Sequence, residues 1–225
     1  MERQKIPTGD GSSTIFLPEL NECYHSRFGA VTESMHVFIH AGFDLAITGK
    51  DKISLFEMGS GTGLNIWLTC CSAIKKGISV DYTALEPFPP DPDEILSLNY
   101  TKESEPGEKK VFEEILHAPS NIKTQICKGF TLHKISQTLE KVSLKEHYFD
   151  LVYFDAFGPE VQPELWTPEL FGMIGKSMKP EGILVTYSAK GTVKQALRNS
   201  GFRIERLPGP PGKRHMVRGI KQSSD

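Results

Sequence analysis

Short apolar runs alternate with helix-periodic segments along most of the chain. The first strand is predicted over residues 53–58 and the helix after it over residues 64–76, and the alternation continues to residue 199. Parallel neighbouring strands need a crossover between them, so this order predicts an α/β fold with a mostly parallel sheet. Seven strands are predicted for the sheet. The last two, joined by PGPPGK at residues 208–213, are expected to pair antiparallel at a sheet edge.

Three other segments complete the predicted organisation. Residues 31–48 repeat apolar side chains with the period of a helix, ahead of the first strand. Residues 130–141 are predicted as a helix that follows the third strand, at residues 121–127. Residues 101–110, TKESEPGEKK, are rich in charge and turn formers and are predicted as a surface loop.

Composition excludes several classes of protein. The 225 residues contain 38% hydrophobic and 24% charged residues, which is typical of a globular domain. No run approaches the roughly 20 apolar residues that span a bilayer. The N-terminal residues lack the apolar run of a signal peptide, so a cytoplasmic location is expected. His36 and His40 have helical metal spacing, but HVFIH contains no carboxylate and no metal site is predicted.

The net charge of −2 hides an uneven distribution along the chain. Residues 1–175 hold 15 Lys and Arg against 25 Asp and Glu, a balance of −10, whereas residues 176–225 hold 11 against 3, a balance of +8. A basic C-terminal segment indicates either an anionic partner or simply solvated faces. The candidate phosphate contacts are Lys190, Lys194, Arg198, Arg203, Arg206, Lys213 and Arg214.

The most informative motif is the segment EMGSGTGLN, residues 57–65, between the first strand and the next helix. Its glycines allow a tight turn and a close approach of the backbone to a ligand. The pattern is G-x-G-x-G behind the acidic Glu57, without the third glycine of a dinucleotide-binding fingerprint. It favours S-adenosylmethionine (SAM), whose amino-acid end is cationic, although a turn that binds nothing remains an alternative. The residues predicted to bind the cofactor here are Glu57, Gly59, Ser60, Gly61 and Gly63.

Two more acidic residues follow predicted strands. Glu86 comes 27 residues after Gly59, where a carboxylate can accept both ribose hydroxyls of a nucleoside or can simply face solvent. Asp155 ends the fourth strand within DAFGP, where its carboxylate can hydrogen-bond an amine and Phe157 offers a ring face to a base or cation. Trp166, in PELWT, is either a core anchor or a wall of the pocket.

A set of short segments carries a more specific resemblance. They are DG at 10–11, HS at 25–26, TES at 32–34, E-x-GSGTGLN, ALEPFP, FDAFGP with PELWT, YSAKG at 187–191, GF at 201–202 and LPGPPGKRHM. Together they resemble the methyltransferase module of MnmC, the enzyme of tRNA 5-methylaminomethyl-2-thiouridine biosynthesis, whose stand-alone form is called MnmD. The length leaves no room for the flavin-dependent half of the bifunctional enzymes, so the resemblance implies only the final methyl transfer.

The resemblance implies a Rossmann-like class I SAM-dependent methyltransferase. Residues 1–50 would form an N-terminal extension and helix that covers the cofactor and substrate cleft, and residues 51–225 the SAM-binding domain. The substrate would be 5-aminomethyluridine, with or without 2-thiolation, at the wobble position of a tRNA anticodon stem-loop. Trp166, Lys190, Lys213 and Arg214 are expected to contact this RNA. Phe130 stands where the family often has an acidic residue near adenine, which leaves the adenine contact unassigned.

The chemistry predicts the roles of two residues. Methyl transfer from a sulfonium to an amine needs alignment and a neutral amine, although a free alkylamine is mostly protonated at neutral pH. Asp155 is expected to accept an amine N–H hydrogen bond, direct the lone pair and stabilise the developing ammonium, with Phe157 beside it. The alternatives are a spermidine-synthase-like aminopropyltransferase, a small-molecule amine methyltransferase, an NAD-dependent oxidoreductase and a catalytically silent RNA-binding module.

Overall fold

The computed structural model of the chain describes residues 2–223 and contains eleven strands within them. In chain order they are β1 (Gln4–Pro7), β2 (Ser13–Leu17), β3 (Glu22–Cys23), β4 (Lys52–Met58), β5 (Ser79–Leu85), β6 (Lys123–Cys127), β7 (Phe130–Ile135), β8 (Phe149–Phe154), β9 (Met178–Thr186), β10 (Phe202–Pro208) and β11 (His215–Lys221). The first three form a small antiparallel sheet, and the other eight form the central sheet.

The helices connect these strands. The first helical segment is continuous: α1 (Ala30–Ser34) passes through a π-helical stretch (Met35–Phe43) into α2 (Asp44–Ala46). The others are α3 (Leu64–Lys76), α4 (Pro92–Leu96), α5 (Pro106–His117), α6 (Pro168–Ser177) and α7 (Gly191–Asn199), with short 3₁₀ turns at Leu139–Lys141 and Pro163–Trp166. None of the helices within residues 2–223 is long and apolar enough to cross a membrane.

The strand order of the central sheet is β10-β11-β9-β8-β4-β5-β7-β6. The five strands from β9 to β7 pair in parallel, whereas β11 runs antiparallel to both β9 and β10, and β6 antiparallel to β7. From β4 the chain moves outward in one direction through β5 and β7, and β8 and β9 later extend the other side. The strand order therefore reverses between β4 and β8, where open α/β sheets bind ligands at their carboxyl ends.

Two predicted segments differ from the observed secondary structure. The sheet has eight strands rather than seven, because residues 130–141 do not form a helix. Phe130–Ile135 form β7, in which the buried Phe130 and Leu132 alternate with less buried neighbours, and this period of two is typical of a strand. Residues 101–110 are also not entirely a loop, since α5 begins at Pro106, a residue whose fixed φ favours the first helical position.

The sheet separates two apolar cores. Leu55 and Phe56 are adjacent in β4, both fully buried, and belong to different cores because successive strand side chains point to opposite faces. One core lies under α1, the π-helical stretch, α3 and α5, and the other under α6 and α7. Burial on both faces explains why β4 and β8 are continuous apolar runs rather than alternating ones.

Candidate active site

The glycine turn after β4 lies at the centre of the site. Gly59, Gly61 and Gly63 have φ values of 82°, 45° and 75°, a region that L side chains rarely adopt. A Cβ on Gly59 would lie 2.7 Å from the carbonyl oxygen of Asp155, and a Cβ on Gly61 would lie 2.9 Å from the Tyr24 ring. The turn therefore needs glycine both for its backbone conformation and for the close approach of its neighbours.

A cleft opens beside this turn at the carboxyl ends of β4, β5 and β7. We call it the donor cleft; its empty space, including the part open to solvent, is about 760 Å³. Its lining combines polar groups from the glycine turn and Glu86 with apolar side chains, among them Ile66, Ile95 and Ile115. A mostly apolar cleft of this size with a few convergent polar groups is typical of a nucleoside site.

Glu86 supports the glycine turn directly. Its Oε2 accepts a hydrogen bond from the Gly61 backbone N–H at 3.0 Å, and its Oε1 accepts one from the Phe88 N–H at 3.0 Å. Burial raises the pKa of Glu86 above its usual value. Because a carboxylate offers about four lone-pair positions, Glu86 keeps capacity to accept hydrogen bonds from two hydroxyl groups in the cleft.

Glu57 and Asp155 are linked through one amide. The Asn65 Nδ2 donates to Glu57 Oε1 and to Asp155 Oδ2, each at 2.9 Å, and the Tyr82 hydroxyl donates to Glu57 Oε2 at 2.8 Å. Burial raises the pKa of Glu57 to about 7. Burial, and then the charge of Glu57, holds the pKa of Asp155 well above its usual value. The charged forms of both carboxyl groups are therefore disfavoured unless a cation approaches.

The acidic network fits a cationic ligand. Among the described residues, the buried Oδ1 of Asn65 has no hydrogen-bond partner, so the amide whose nitrogen links the two carboxylates carries an unmet acceptor. Unpaired buried acceptors are rare in folded proteins, and an ammonium group would satisfy this one. The lining of the donor cleft, with Glu86 beside the glycine turn and apolar side chains such as Ile95 and Ile115, fits the ribose and base of SAM. Glu57 itself is fully buried beneath the turn and does not line the cleft.

A second cavity is lined by Tyr24, whose ring approaches Gly61 of the glycine turn. We call it the acceptor cavity; its lining includes Tyr24, Glu33, Asp155, Phe157, Tyr187 and Lys213. The rings of Tyr24 and Phe157 meet edge to face with centroids 5.4 Å apart. The next residue, His25, places its Nε2 2.8 Å from the Thr62 hydroxyl of the glycine turn, and burial lowers the pKa of His25 to about 4. The neutral His25 thus connects the N-terminal segment to the turn.

Trp166 lies in the core beneath this cavity. Its side chain is buried against Phe154 and Phe171, and its indole N–H donates to the carbonyl oxygen of Phe157 at 2.8 Å. It is not among the residues that line the acceptor cavity. This position corresponds to the core-anchor interpretation of Trp166, with an indirect effect on the cavity through the backbone of Phe157.

The candidate RNA contacts fall into two groups. Lys190 pairs with Glu160 at 2.5 Å, Arg203 pairs with Glu205 at 2.6 Å, and Lys213 pairs with Glu33 inside the acceptor cavity. The remaining candidates are exposed or half-exposed, with no ion pair among the described residues: Lys194, Arg198, Arg206 and Arg214. Of the predicted phosphate contacts, this second group is the one with charges available to a polyanion.

The two histidines of HVFIH do not converge on one point. The His36 Nε2 contacts the Pro208 carbonyl oxygen at 2.9 Å, and the His40 Nδ1 contacts Asp44 Oδ2 at 3.2 Å. Across the described part of the chain, no group of three or more His, Cys, Asp or Glu side chains is arranged to hold a metal ion.

Sequence reasoning missed several residues of the site and misplaced one. Tyr24, Glu33, Asn65 and Tyr187 were not assigned a role, although HS, TES, GSGTGLN and YSAKG lie at or beside them. Phe130 begins β7 and is buried against Tyr82, at the end of the strand away from the cleft. The residues after β7, including Ser136, line the cleft instead.

The fold and the cleft together define a class of protein. The mostly parallel sheet reverses its strand order beside a glycine turn, and a carboxylate follows the next strand. This arrangement is typical of α/β enzymes that bind a nucleotide or a nucleoside. The family described as S-adenosyl-L-methionine-dependent methyltransferase matches residues 100–222, more than half of the sequence. The chain belongs to this family.

The chain is also similar to individual proteins. The chain is 26% identical over 94% of its length to the tRNA 5-methylaminomethyl-2-thiouridine biosynthesis bifunctional protein MnmC of Pseudoalteromonas atlantica, covering 32% of that protein. The protein of the same name from Paracidovorax citrulli is 27% identical over 89% of this chain and 33% of its own length. The chain thus spans about a third of the length of these curated relatives. The crystal structure of MNMC2 from Aquifex aeolicus shares the fold, with a TM-score of 0.77 and 22% identity over 100% of this chain and 73% of that one.

Proposed function

We propose that the chain transfers the methyl group of SAM to the primary amine of 5-aminomethyluridine or its 2-thio form. The nucleotide would be the wobble position of a tRNA anticodon stem-loop, and the product 5-methylaminomethyluridine. The observation that carries this proposal is the acceptor cavity, where the Asp155 carboxylate and aromatic side chains adjoin the glycine turn. The names of the two MnmC relatives, which concern tRNA 5-methylaminomethyl-2-thiouridine biosynthesis, support the same substrate.

The donor cleft would bind the cofactor. When bound, SAM supplies an electrophilic methyl group on a positively charged sulfur. We infer that the backbone of Gly59, Ser60, Gly61 and Gly63 holds the amino-acid end and that Glu86 accepts hydrogen bonds from the ribose hydroxyls. Glu57 would act through Asn65, because its two oxygens are already bonded to Asn65 and Tyr82. Its negative charge favours a cation at the unmet acceptor of Asn65.

Asp155 is the proposed catalytic group for the amine. Its carboxylate accepts an N–H hydrogen bond, which orients the nitrogen lone pair toward the glycine turn. As the nitrogen gains its new bond to carbon, positive charge develops on it, and the negative carboxylate stabilises that charge. A pKa well above the usual value, caused by burial and then by Glu57, makes Asp155 a better acceptor for the departing N–H proton than an exposed carboxylate.

The acceptor cavity also suits a single unstacked base. Tyr24 and Phe157 present aromatic surfaces, and RNA is recognised largely through stacking of splayed-out bases on such rings. Exposed cations of the C-terminal segment, including Arg206 and Arg214, would contact phosphates and position the stem-loop. Residues 1–50 would cover both sites, which the contacts of Tyr24 and His25 with the glycine turn support.

The test is transfer of labelled methyl from SAM to tRNA isolated from cells that lack this final methylation. Nucleoside mass spectrometry should show 5-aminomethyluridines converted to 5-methylaminomethyluridines. The Asp155→Asn variant keeps the hydrogen-bond geometry but removes the charge, and its single-turnover rate should fall about a hundredfold or more with unchanged tRNA affinity. Three results would contradict the proposal. They are transfer of the labelled methyl group to putrescine or another small amine, transfer of an aminopropyl group from decarboxylated SAM, and full activity of the Asp155→Asn variant.

A further inference from the structure

Lys213 and Glu33 form an ion pair inside the acceptor cavity. The Lys213 Nζ lies 2.6 Å from Glu33 Oε1, and the exposed fractions of their side chains are 33% and 9%. The other carboxylate oxygen of Glu33 accepts a hydrogen bond from the Ser26 backbone N–H at 3.0 Å. Both side chains line the cavity that Asp155 also lines. Because solvent is partly excluded, their charges act on the cavity more strongly than those of a surface pair.

The structure holds the Lys213 ammonium in one place. Its Nζ lies 3.9 Å from the centroid of the Tyr187 ring, a cation–π contact, and the Tyr187 hydroxyl donates to the Ala156 carbonyl oxygen at 2.9 Å. The preceding Gly212 has a φ of +83° and packs so closely on Phe28 that an added Cβ would lie 2.1 Å from the ring. The turn between β10 and β11 therefore presents this charge to the cavity from a fixed backbone.

We propose, on the basis of the function inferred above, that Lys213 and Glu33 are a positioning pair for the proton of the substrate amine. The ammonium of Lys213 disfavours a second positive charge in the cavity and so favours the neutral, nucleophilic amine. It also favours the ionised form of Asp155, which accepts the amine hydrogen bond. The carboxylate of Glu33 acts in the opposite sense on both groups and limits the effect of Lys213.

The physical reason is the charge state that methyl transfer needs. A free alkylamine resembles lysine, whose pKa is about 10.4, so the bound amine must lose a proton before it attacks. A like charge nearby lowers the pKa of an amine, and an opposite charge raises it. Burial, followed by the charges of Glu57 and Glu33, raises the pKa of Asp155, whereas Lys213 opposes that rise.

Other titratable groups around the cavity leave this role to Lys213. Those that face Asp155 or the cavity from neighbouring elements are Glu22, Cys23, Tyr24, His25, Arg27, Glu57 and Tyr187. Burial lowers the pKa of His25 to about 4, so His25 is neutral near pH 7. Arg27 is exposed and lies over the Phe16 ring at 4.6 Å. Within the described lining, Lys213 is thus the cation fixed toward the interior of the cavity.

The test compares the pH dependence of the single-turnover rate at saturating SAM and tRNA for two variants. In Lys213→Met, the acid limb of the profile should move to higher pH by about one unit, because the amine and Asp155 hold their protons longer. In Glu33→Gln, the limb should move to lower pH. Lys213→Arg keeps the charge and should keep the wild-type limb. Since Lys213→Met and Glu33→Gln break the same ion pair, a merely structural role would slow both variants at every pH without opposite shifts.

A second measurement separates this inference from the proposed function. A ¹³C-NMR titration of the Asp155 carboxyl in the free protein should give a higher pKa in Lys213→Met and a lower one in Glu33→Gln. If the wild type methylates tRNA but the limbs and the titration do not shift in opposite directions, the inference is overturned and the function stands. If the wild type does not methylate tRNA at any pH, the proposed function fails whatever the titration shows. Should Lys213→Met fail to fold, Glu33→Gln alone carries the test, and an unchanged limb overturns the inference.

Discussion

The buried carboxylate of Glu57 should make the protein less stable as the pH rises through neutrality. Glu57 is fully buried, and burial raises its pKa from the usual 4.5 to about 7. The folded state therefore binds a proton that the unfolded state has lost between these two values. Stability falls with pH wherever the folded state binds more protons, which is the opposite of the usual behaviour of a salt-bridged carboxylate.

The size of the effect follows from the difference in pKa. One pKa unit corresponds to 1.36 kcal/mol, so a shift from 4.5 to about 7 destabilises the folded protein at alkaline pH by about 3 kcal/mol. The loss is absent below about pH 4.5 and complete above about pH 8. Asp155, whose pKa burial and the Glu57 charge also raise, adds a change of the same sign in the wild type.

The assay is urea unfolding at a series of pH values for the wild type and for Glu57→Gln. The difference between the two free energies of unfolding should change by about 2.5 kcal/mol from pH 5 to pH 8, because the amide does not titrate. Asp150→Asn is the matched control: burial raises the pKa of Asp150, but Lys179 and Lys50 outweigh it and lower the value. Its difference curve should be flat over that range. A flat curve for Glu57→Gln as well would refute the reasoning.

Three further predictions test other parts of the site. Gly61→Ala should destabilise the protein by about 1–2 kcal/mol and abolish SAM binding measured by calorimetry. Gly107→Ala is the control, because a Cβ on Gly107 in α5 meets open space, and it should have neither effect. Trp166→Phe removes the indole N–H from the partly buried Phe157 carbonyl, so thermal unfolding should show a loss of about 1–3 kcal/mol and the methylation rate should fall. Replacing Arg206 or Arg214 with Ala should weaken tRNA binding and make the slope of log binding constant against log salt concentration shallower by about one unit each. An unchanged slope would mean that neither side chain contacts a phosphate.

Local sequence patterns predicted the order of most central elements. The apolar runs of β4 and β8 and the glycine turn depend on burial and backbone conformation, which neighbouring residues largely determine. The same reasoning was wrong about residues 130–141, because FTLHKI is short enough to be interpreted as either a helix or a strand, and its pairing with β5 decides the outcome. The strands β1 to β3 were missed for a similar reason. They are short, and they form through pairing with one another.

The site shows the same limit. Gly59, Glu86 and Asp155 follow strands that end at one edge of the sheet, so their proximity was predictable from the fold class. Glu33 and Lys213 are 180 residues apart, and no local pattern indicates that they meet. Lys213 was therefore predicted as a phosphate contact from charge alone, although it is ion-paired in the wall of the acceptor cavity. Glu57 was predicted in the lining, but its hydrogen bonds to Asn65 and Tyr82 hold it beneath the turn.

Calorimetric titration with SAM, for the wild type and for Glu86→Gln, tests most directly whether the glycine turn and its carboxylate form the cofactor site. The wild type should bind one SAM per chain, and the variant should bind about tenfold or more weakly, because a charged acceptor for the ribose hydroxyls is lost. NAD should give no binding heat. Equal SAM affinity of the two proteins, or no binding of SAM to the wild type, would contradict the account.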